Sequence, residues 1–283
     1  MYPMPFDYEV AESVDQAIEL LGEHGDESKL IAGGHSLIPL MRLRLAAPTV
    51  LIDLDRLDDL RYVSDEGDHL AIGALTRHRE VLNNPLVQEH CGILSFTAGL
   101  LGDPSVQHRG TIGGALAHGD PSGDLPTVVK TLEGELVIKG PDGERTIQAA
   151  DFFQDYLMTD LDEREVITEV RVPKLSPNTG WAYKKFSRRS QDWAIVGVAA
   201  VVEKNNGTIG SARIGLTSMG STPIRASAVE EALSGASPDG VAEASEAADE
   251  GTEPASDGAA SADFRRHLAR VWTRRAVEEA LSR

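Results

Sequence analysis

Two glycine-bearing segments hold the residue types most suited to chemistry. In Ile31-Ala32-Gly33-Gly34-His35-Ser36-Leu37-Ile38-Pro39 an apolar run breaks at paired glycines and resumes as a helical pattern. Ser36 stands in the place of an N-cap and Pro39 in the first turn, where a missing N–H costs little. Glycines at such a junction let backbone amides turn toward an anion, and a helix N-terminus adds partial positive charge, which together suit a pyrophosphate. A plain tight strand-to-helix turn is the alternative reading. The second segment, Arg109-Gly110-Thr111-Ile112-Gly113-Gly114, leads into Ala117-His118-Gly119-Asp120-Pro121-Ser122-Gly123-Asp124-Leu125-Pro126. Paired glycines again let a backbone approach a flat or phosphorylated ligand closely, with a surface loop as the alternative.

Other sites of known spacing are absent. Neither segment is G-x-G-x-x-G, and no G-x-x-x-x-G-K-[ST] occurs. Gly34-His35-Ser36-Leu37-Ile38 lacks the second glycine of a nucleophile elbow, and Thr217-Ser218-Met219-Gly220 lacks the first. The eight His form no H-x-x-x-H pair. His108 and His118 near Asp120 could approach a metal, but a polar loop explains them, and no metal site is expected. No catalytic acid, base or nucleophile stands out.

Three blocks of elements must position these segments. In the first, Ser13 caps an amphipathic helical pattern over Asp15–Leu21, Lys29–Ala32 is a short strand, a helix runs from Leu37 to about Leu45, and Val50–Leu54 is a buried strand. In the second, about Leu57–Pro173, the pattern predicts a strand at His69–Ile72, a helix over Thr76–Leu82 capped by Thr76, and an apolar helix over Ile93–Leu101. A loop is expected from Gly102 to Pro126. Glu135–Lys139 and Arg145–Ile147 form a hairpin around Pro141-Asp142-Gly143, and Val166–Val172 is a strand. Pro173–Asn178 is the boundary candidate. The third block holds strands at Trp181–Ser187, Ala194–Glu203 and Thr208–Thr217, the last two joined by Asn205-Asn206-Gly207, then helices at Ser227–Leu233 and from Asp263 onward. Composition alone makes the acidic, base-free stretch Ser234–Asp263 a disordered linker.

The 283 residues, 41% of them hydrophobic, suffice for about two domains with real cores. A net charge of -18 opposes binding to nucleic acid or anionic membranes. The chain has one Cys, Cys91, so it forms no internal disulfide and cannot by itself supply the four thiolates of a [2Fe–2S] cluster. No long apolar stretch and no basic leader are present, and a cytoplasmic location is expected. Lysine is scarce: Lys29, Lys130, Lys139, Lys174, Lys184, Lys185 and Lys204. That acid-rich, lysine-poor surface suits a salt-rich cytoplasm, or an ordinary acidic subunit.

At the glycine segments the sequence resembles the FAD-binding medium subunits of the molybdenum hydroxylases, the xanthine dehydrogenase family, and most of all its aerobic carbon monoxide dehydrogenase branch. The resemblance spans essentially the whole chain. It includes Phe6-Asp7-Tyr8, Ala32–Met41, Leu51–Leu54, Asp103-Pro104, Gly110–Gly114, Gly119-Asp120-Pro121, Tyr183, Asp192-Trp193-Ala194, Ile214–Thr217, Pro254–Gly258 and Arg274–Val277. It implies an α+β fold: a p-cresol-methylhydroxylase-type FAD domain of two α+β subdomains (residues 1–56 and 57–176) and a C-terminal domain (177–283) with a three-stranded antiparallel sheet and helices. It also implies that Ser234–Asp263 is a helix and ordered turn, with disorder confined to a few residues near Glu250.

Carried onto this chain, the resemblance implies that Ala32, Gly33, Gly34, His35, Ser36 and Leu37 hold the FAD pyrophosphate and that Thr111, Ile112, Gly113 and Gly114 line the flavin and ribityl. Asp124 is expected to accept a hydrogen bond from the cofactor, Leu101 and Ile167 to pack on it, and Lys185 to donate near the isoalloxazine. Trp193 falls at its open face, where relatives often carry Tyr, and Ala115 where they often carry Asn. His35 matches a position of covalent flavin attachment in distant relatives, but in this branch FAD is held noncovalently. The implied role is electron transfer. A molybdenum-cofactor large subunit would oxidise substrate, an iron–sulfur small subunit would relay electrons, and FAD here would pass them on, in a dimer of heterotrimers. A stand-alone flavoenzyme of the same fold and a flavin-less scaffold subunit are the competing readings.

Overall fold

The computed structural model describes residues 2–283 and contains three main sheets, each built from a successive stretch of chain. The first stretch runs β1 (Asp7–Val10), α1 (Val14–His24), β2 (Ser28–Ile31), α2 (Leu37–Leu43) and β3 (Val50–Asp53). Ser13 caps α1 by accepting from the Gln16 amide, as its position predicts. The strands make a parallel sheet in the order β1-β3-β2. Its core, Ala17, Ile18, Leu21, Val50 and Ile52, is continuous with Leu60, Leu75 and Val166 of the next stretch. The β2–α2 turn lies on the second stretch, where a Cβ on Gly33 would meet the Arg109 carbonyl oxygen.

The second stretch begins with β4 (Val63–Asp65), β5 (His69–Gly73), α3 (His78–Asn83), α4 (Pro85–His90) and α5 (Gly92–Ala98). Next come α6 (Pro104–Arg109), α7 (Ile112–His118) and α8 (Asp124–Thr131). It ends with β6 (Glu135–Gly140), β7 (Gly143–Gln148), α9 (Ala149–Phe152), β8 (Phe153–Asp155), β9 (Met158–Thr159) and β10 (Val166–Pro173). An antiparallel sheet of order β4-β5-β10-β6-β7 backs the helices. The expected loop at 102–126 is instead three short helices. Asp103 accepts from the Ser105 and Val106 amides ahead of Pro104, and Thr111 accepts from the Gly114 amide, so each of α6 and α7 starts at a side-chain cap. Thr76 does not cap α3: its hydroxyl donates to the Tyr62 carbonyl, and the helix starts after Arg77.

The third stretch contains β11 (Thr179–Phe186), β12 (Val196–Asn205), β13 (Thr208–Thr217), β14 (Ile224–Arg225), α10 (Ser227–Leu233), α11 (Val241–Ala244) and α12 (Ala262–Ser282). The three long antiparallel strands are those expected, and the two-residue β14 adds a fourth at the edge. Asn206 and Gly207 turn the β12–β13 hairpin with φ of 48° and 89°. Both faces of this sheet are covered. Tyr183, Ala199 and Val201 join the core of the second stretch, while Ala182, Val198, Ala200 and Val202 pack with α10 and α12 residues such as Val229, Leu233, Ala276 and Val277. Double burial explains why β12 is apolar almost without interruption. The acidic stretch before α12 is folded: Ala244, Ala248 and Thr252 are buried, the Glu250 amide bonds the Ala247 carbonyl, and Arg270 of α12 faces Glu246 and Asp249.

Candidate functional site

The two glycine segments, distant in sequence, touch. A Cβ on Gly33 would collide with the Arg109 carbonyl oxygen and stand 2.7 Å from Gly110 Cα, so the β2–α2 turn lies directly on the backbone that enters α7. Gly34 takes φ +75°, a left-handed conformation open mainly to glycine. The amides of Gly33, Gly34, His35, Ser36 and Leu37 find no acceptor among the described residues. Ser36 does not cap α2. Its backbone is already helical, and the turn closes through the Ile38 amide to the Gly34 carbonyl. A seven-residue helix adds little dipole. The capacity of this turn for an anion rests on its unpaired amides, and these fit a pyrophosphate.

The second segment is built differently. The amide of Ile112 donates to Thr76 O at 3.0 Å, that of Gly113 to Ala74 O at 2.9 Å and that of Gly114 to Thr111 Oγ1 at 3.2 Å. These donors are occupied by the protein, so Thr111–Gly114 offers a surface, not an anion nest. Its two glycines do separate work. A Cβ on Gly113 would come within 2.6 Å of Ala74 Cβ, so this glycine lets α7 seat against the end of β5, whereas Gly114 is exposed and leaves the face of the turn low. Ile167 is buried and its neighbour Thr168 accepts from the Ala74 amide at 2.9 Å, tying β10 to the same corner.

His78 supports this corner. Its amide donates to Gly110 O at 2.9 Å, and its ring lies where a Gly110 Cβ would meet Cδ2 and Nε2 at 2.6 Å. The imidazole is buried, its Nδ1 has no hydrogen-bond partner in the protein, and burial, reinforced by the nearby His35, depresses its pKa to about 4. His35 itself is exposed on the turn, close enough to Asp103 to favour that carboxylate's charge.

Asp124 opens α8 and is 1% exposed. Each carboxylate oxygen already accepts a bond: Oδ2 from Lys185 Nζ at 2.8 Å and Oδ1 from the Tyr183 hydroxyl at 2.6 Å. Burial raises the Asp124 pKa, and Lys185 and the Tyr183 hydrogen bond oppose it. Lys185 Nζ also lies 3.4 Å from the Leu100 carbonyl, which brings the half-buried Leu101 to the same place. Trp193 is 56% exposed. Its neighbour Ala194 is fixed by Ser218, whose hydroxyl donates to Ala194 O at 2.7 Å and bonds Ser122 Oγ at 3.0 Å while its amide donates to Pro121 O at 2.9 Å. The fold thus gathers Gly33–Leu37 with Gly110–Gly114, and Leu101, Asp124 and Lys185 with each other.

Tyr183, Thr217, Ser218 and His78 were given no role by sequence reasoning. Tyr183 and Lys185 could have been paired by their i, i+2 spacing on a strand, which places both on one face. Nothing local could have found His78 or Ser218, whose partners lie far along the chain. The donor set fits a flavin dinucleotide: unpaired amides for its phosphates, a low glycine surface, and a buried ammonium held by a carboxylate. Cys91 is wholly buried and its thiol is pushed up to about 12 by burial, which leaves it unsuited to reaction or ligation.

Residues 4–175 match the family model described as the FAD binding domain in molybdopterin dehydrogenase, and residues 181–280 match the CO dehydrogenase flavoprotein C-terminal domain. The carbon monoxide dehydrogenase medium chain of Hydrogenophaga pseudoflava is 41% identical over 285 residues, covering 100% of this chain and 99% of that one. Subunit alpha of the 6-hydroxypseudooxynicotine dehydrogenase complex of Paenarthrobacter nicotinovorans is 37% identical over 286 residues, covering 100% and 97%. Among solved structures, carbon monoxide dehydrogenase from Hydrogenophaga pseudoflava, in a form lacking the Mo-pyranopterin moiety of its molybdenum cofactor, superposes with a TM-score of 0.97 at 43% identity, covering 100% and 99%.

Proposed function

Because the chain belongs to the family of FAD-binding medium subunits of the molybdenum hydroxylases, alongside the carbon monoxide dehydrogenase medium chains, we propose that it is the electron-transfer flavoprotein of such a complex. The observation that carries this reading is the β2–α2 turn, whose five unpaired amides lie against the backbone entering α7. Bound FAD would supply the exchange between one- and two-electron carriers that such a relay needs. Ala32–Leu37 hold its pyrophosphate, and Thr111–Gly114 form the wall along the ribityl and flavin, packed from behind by Ile167. Leu101 packs on the cofactor, Lys185 donates to it, and Trp193 lies at its open face. Asp124, with both oxygens engaged, sits behind Lys185. Attachment is noncovalent, with His35 a neighbour of the phosphates and not a link. Residues 1–56 and 57–176 form the two FAD subdomains and 177–283 the C-terminal domain.

The partners are an iron–sulfur small subunit and a molybdenum-cofactor large subunit, in a cytoplasmic dimer of heterotrimers. A chain whose single thiol is buried has to receive electrons from clusters held elsewhere. Relatives named for carbon monoxide and for 6-hydroxypseudooxynicotine share this subunit, so substrate choice belongs to the large subunit.

The test is reconstitution. The purified chain should take up FAD, release all of it on denaturation, and have its flavin reduced by the reduced iron–sulfur subunit. A colourless chain that cannot be reconstituted, or an isolated chain that oxidises substrate unaided, would sink the proposal.

A further inference from the structure

Gly197 in β12 and Gly215 in β13 make no turn, and glycine weakens a strand interior. Their use is space. A Cβ on Gly197 would lie 2.5 Å from the Tyr183 hydroxyl and 2.8 Å from Thr217 Oγ1. One on Gly215 would collide with Thr131 Oγ1 and stand 2.9 Å from Thr127 Cγ2. The sheet is hollowed where α8 crosses it, and the hollow holds a buried row of polar groups. Thr217 Oγ1 lies 2.8 Å from Thr127 Oγ1 and 3.1 Å from the Tyr183 hydroxyl, which lies 2.6 Å from Asp124 Oδ1; Asp124 Oδ2 in turn lies 2.8 Å from Lys185 Nζ.

The direction of the protons follows from the chemistry. An ionised carboxylate only accepts, so the Tyr183 hydroxyl donates to Asp124, as does the Lys185 ammonium. The Thr217 hydroxyl donates to Thr127 Oγ1 and stands 3.1 Å behind the phenol. Lys185 has three N–H donors. One goes to Asp124 and a second is directed at the Leu100 carbonyl, 3.4 Å away, which leaves the third pointing in a single direction. Should Asp124 turn, that direction is lost.

We propose that Tyr183 is a positioning residue for the flavin: by fixing Asp124 it aims the Lys185 ammonium across the domain boundary at the isoalloxazine. This rests on the reading of Lys185 as a flavin donor. Tyr183 touches no cofactor atom itself. Its hydroxyl ties β11 of the C-terminal domain to the first residue of α8 in the FAD domain, so a group on one domain is held in register with turns on the other. A positive charge held at a fixed distance favours the negative charge that flavin gains on reduction.

The experiment measures FAD affinity and the flavin midpoint potential of the reconstituted chain, with thermal unfolding of each variant as the control. Tyr183→Phe should weaken FAD binding about tenfold and move the potential to more negative values. Lys185→Met should shift both in the same direction, and the double variant should go no further than Lys185→Met alone, as expected of residues acting through one another. Gly197→Ala, which displaces the same hydroxyl, should reproduce Tyr183→Phe. If Tyr183→Phe does not fold, Thr217→Val is measured in its place, since it removes the contact behind the phenol and leaves the ring. A Lys185→Met variant with altered potential beside a Tyr183→Phe variant with none overturns the proposal alone. A Lys185→Met variant with unchanged affinity and potential overturns the proposal together with the reading of Lys185 on which it rests.

Discussion

A Cβ at Gly33 would meet the Arg109 carbonyl oxygen, and one at Gly113 would meet Ala74 Cβ at 2.6 Å. Both neighbours belong to packed backbone or core and cannot swing aside. Gly33→Ala is expected to cost about 1–3 kcal/mol of stability and to lower FAD affinity, measured by denaturation of the apo chain and by flavin titration. His78 gives a pH dependence whose sign is fixed. Its folded pKa of about 4 lies below the usual 6.5, so between those values the unfolded chain binds more protons than the native one. Stability contributed by the neutral, buried ring is therefore intact above pH 6.5 and lost as pH falls toward 4, by about 3 kcal/mol in all. Urea denaturation across that range should show the slope, and His78→Phe should flatten it. The glycine pairs were legible in the sequence because their types and spacing are local facts. What each glycine does was not, since it depends on Arg109, Ala74 and Thr76 arriving from elsewhere.

Short helices account for the elements that sequence patterning missed. The helices α6, α7 and α8 span two turns or so each, too few residues for an apolar period to stand out among Gly, Asp and Pro. Their start signals were nevertheless present, as Asp103-Pro104 and as Thr111 ahead of the paired glycines. The acidic stretch before α12 misled for the opposite reason, because composition says nothing of alanines buried on one side and arginines waiting on another helix. At this scale the contact of α8 with β13 leaves no room for a side chain at Gly215. Gly215→Ala drives a methyl into Thr131 and should destabilise the chain by about 1–3 kcal/mol while weakening FAD binding, because Asp124 rides on the displaced helix. Gly207→Ala, in an open hairpin turn with φ +89°, should cost about 1 kcal/mol and leave FAD affinity unchanged. Comparing the two by thermal unfolding and flavin titration separates a loss of fold from a loss of site.

Across the whole molecule, 45 acids face 27 bases, and the ion pairs of the surface do not cancel that excess. Self-repulsion then opposes the compact state, and added salt screens it over a distance of about 10 Å at 0.1 M. The melting temperature of the apo chain should rise as KCl is raised from low to molar concentration; a temperature that stays level or falls would show that salt bridges outweigh net repulsion. No helix among the described residues is long and apolar enough to cross a membrane.

The sequence by itself determined the three successive blocks, the glycine turn between a strand and a helix, the antiparallel C-terminal sheet and the inability of one cysteine to supply four thiolates. Periodicity, turn chemistry and one cysteine are local or compositional properties and survive without coordinates. Only the tertiary structure decided that the two glycine segments meet, that the amides of the second are spent on the protein, and that Asp124, Tyr183 and Lys185 form one buried unit across two domains. Those relations join residues 59 or more positions apart, or depend on which donors a neighbouring strand has already taken. Spacing along a chain carries no record of either.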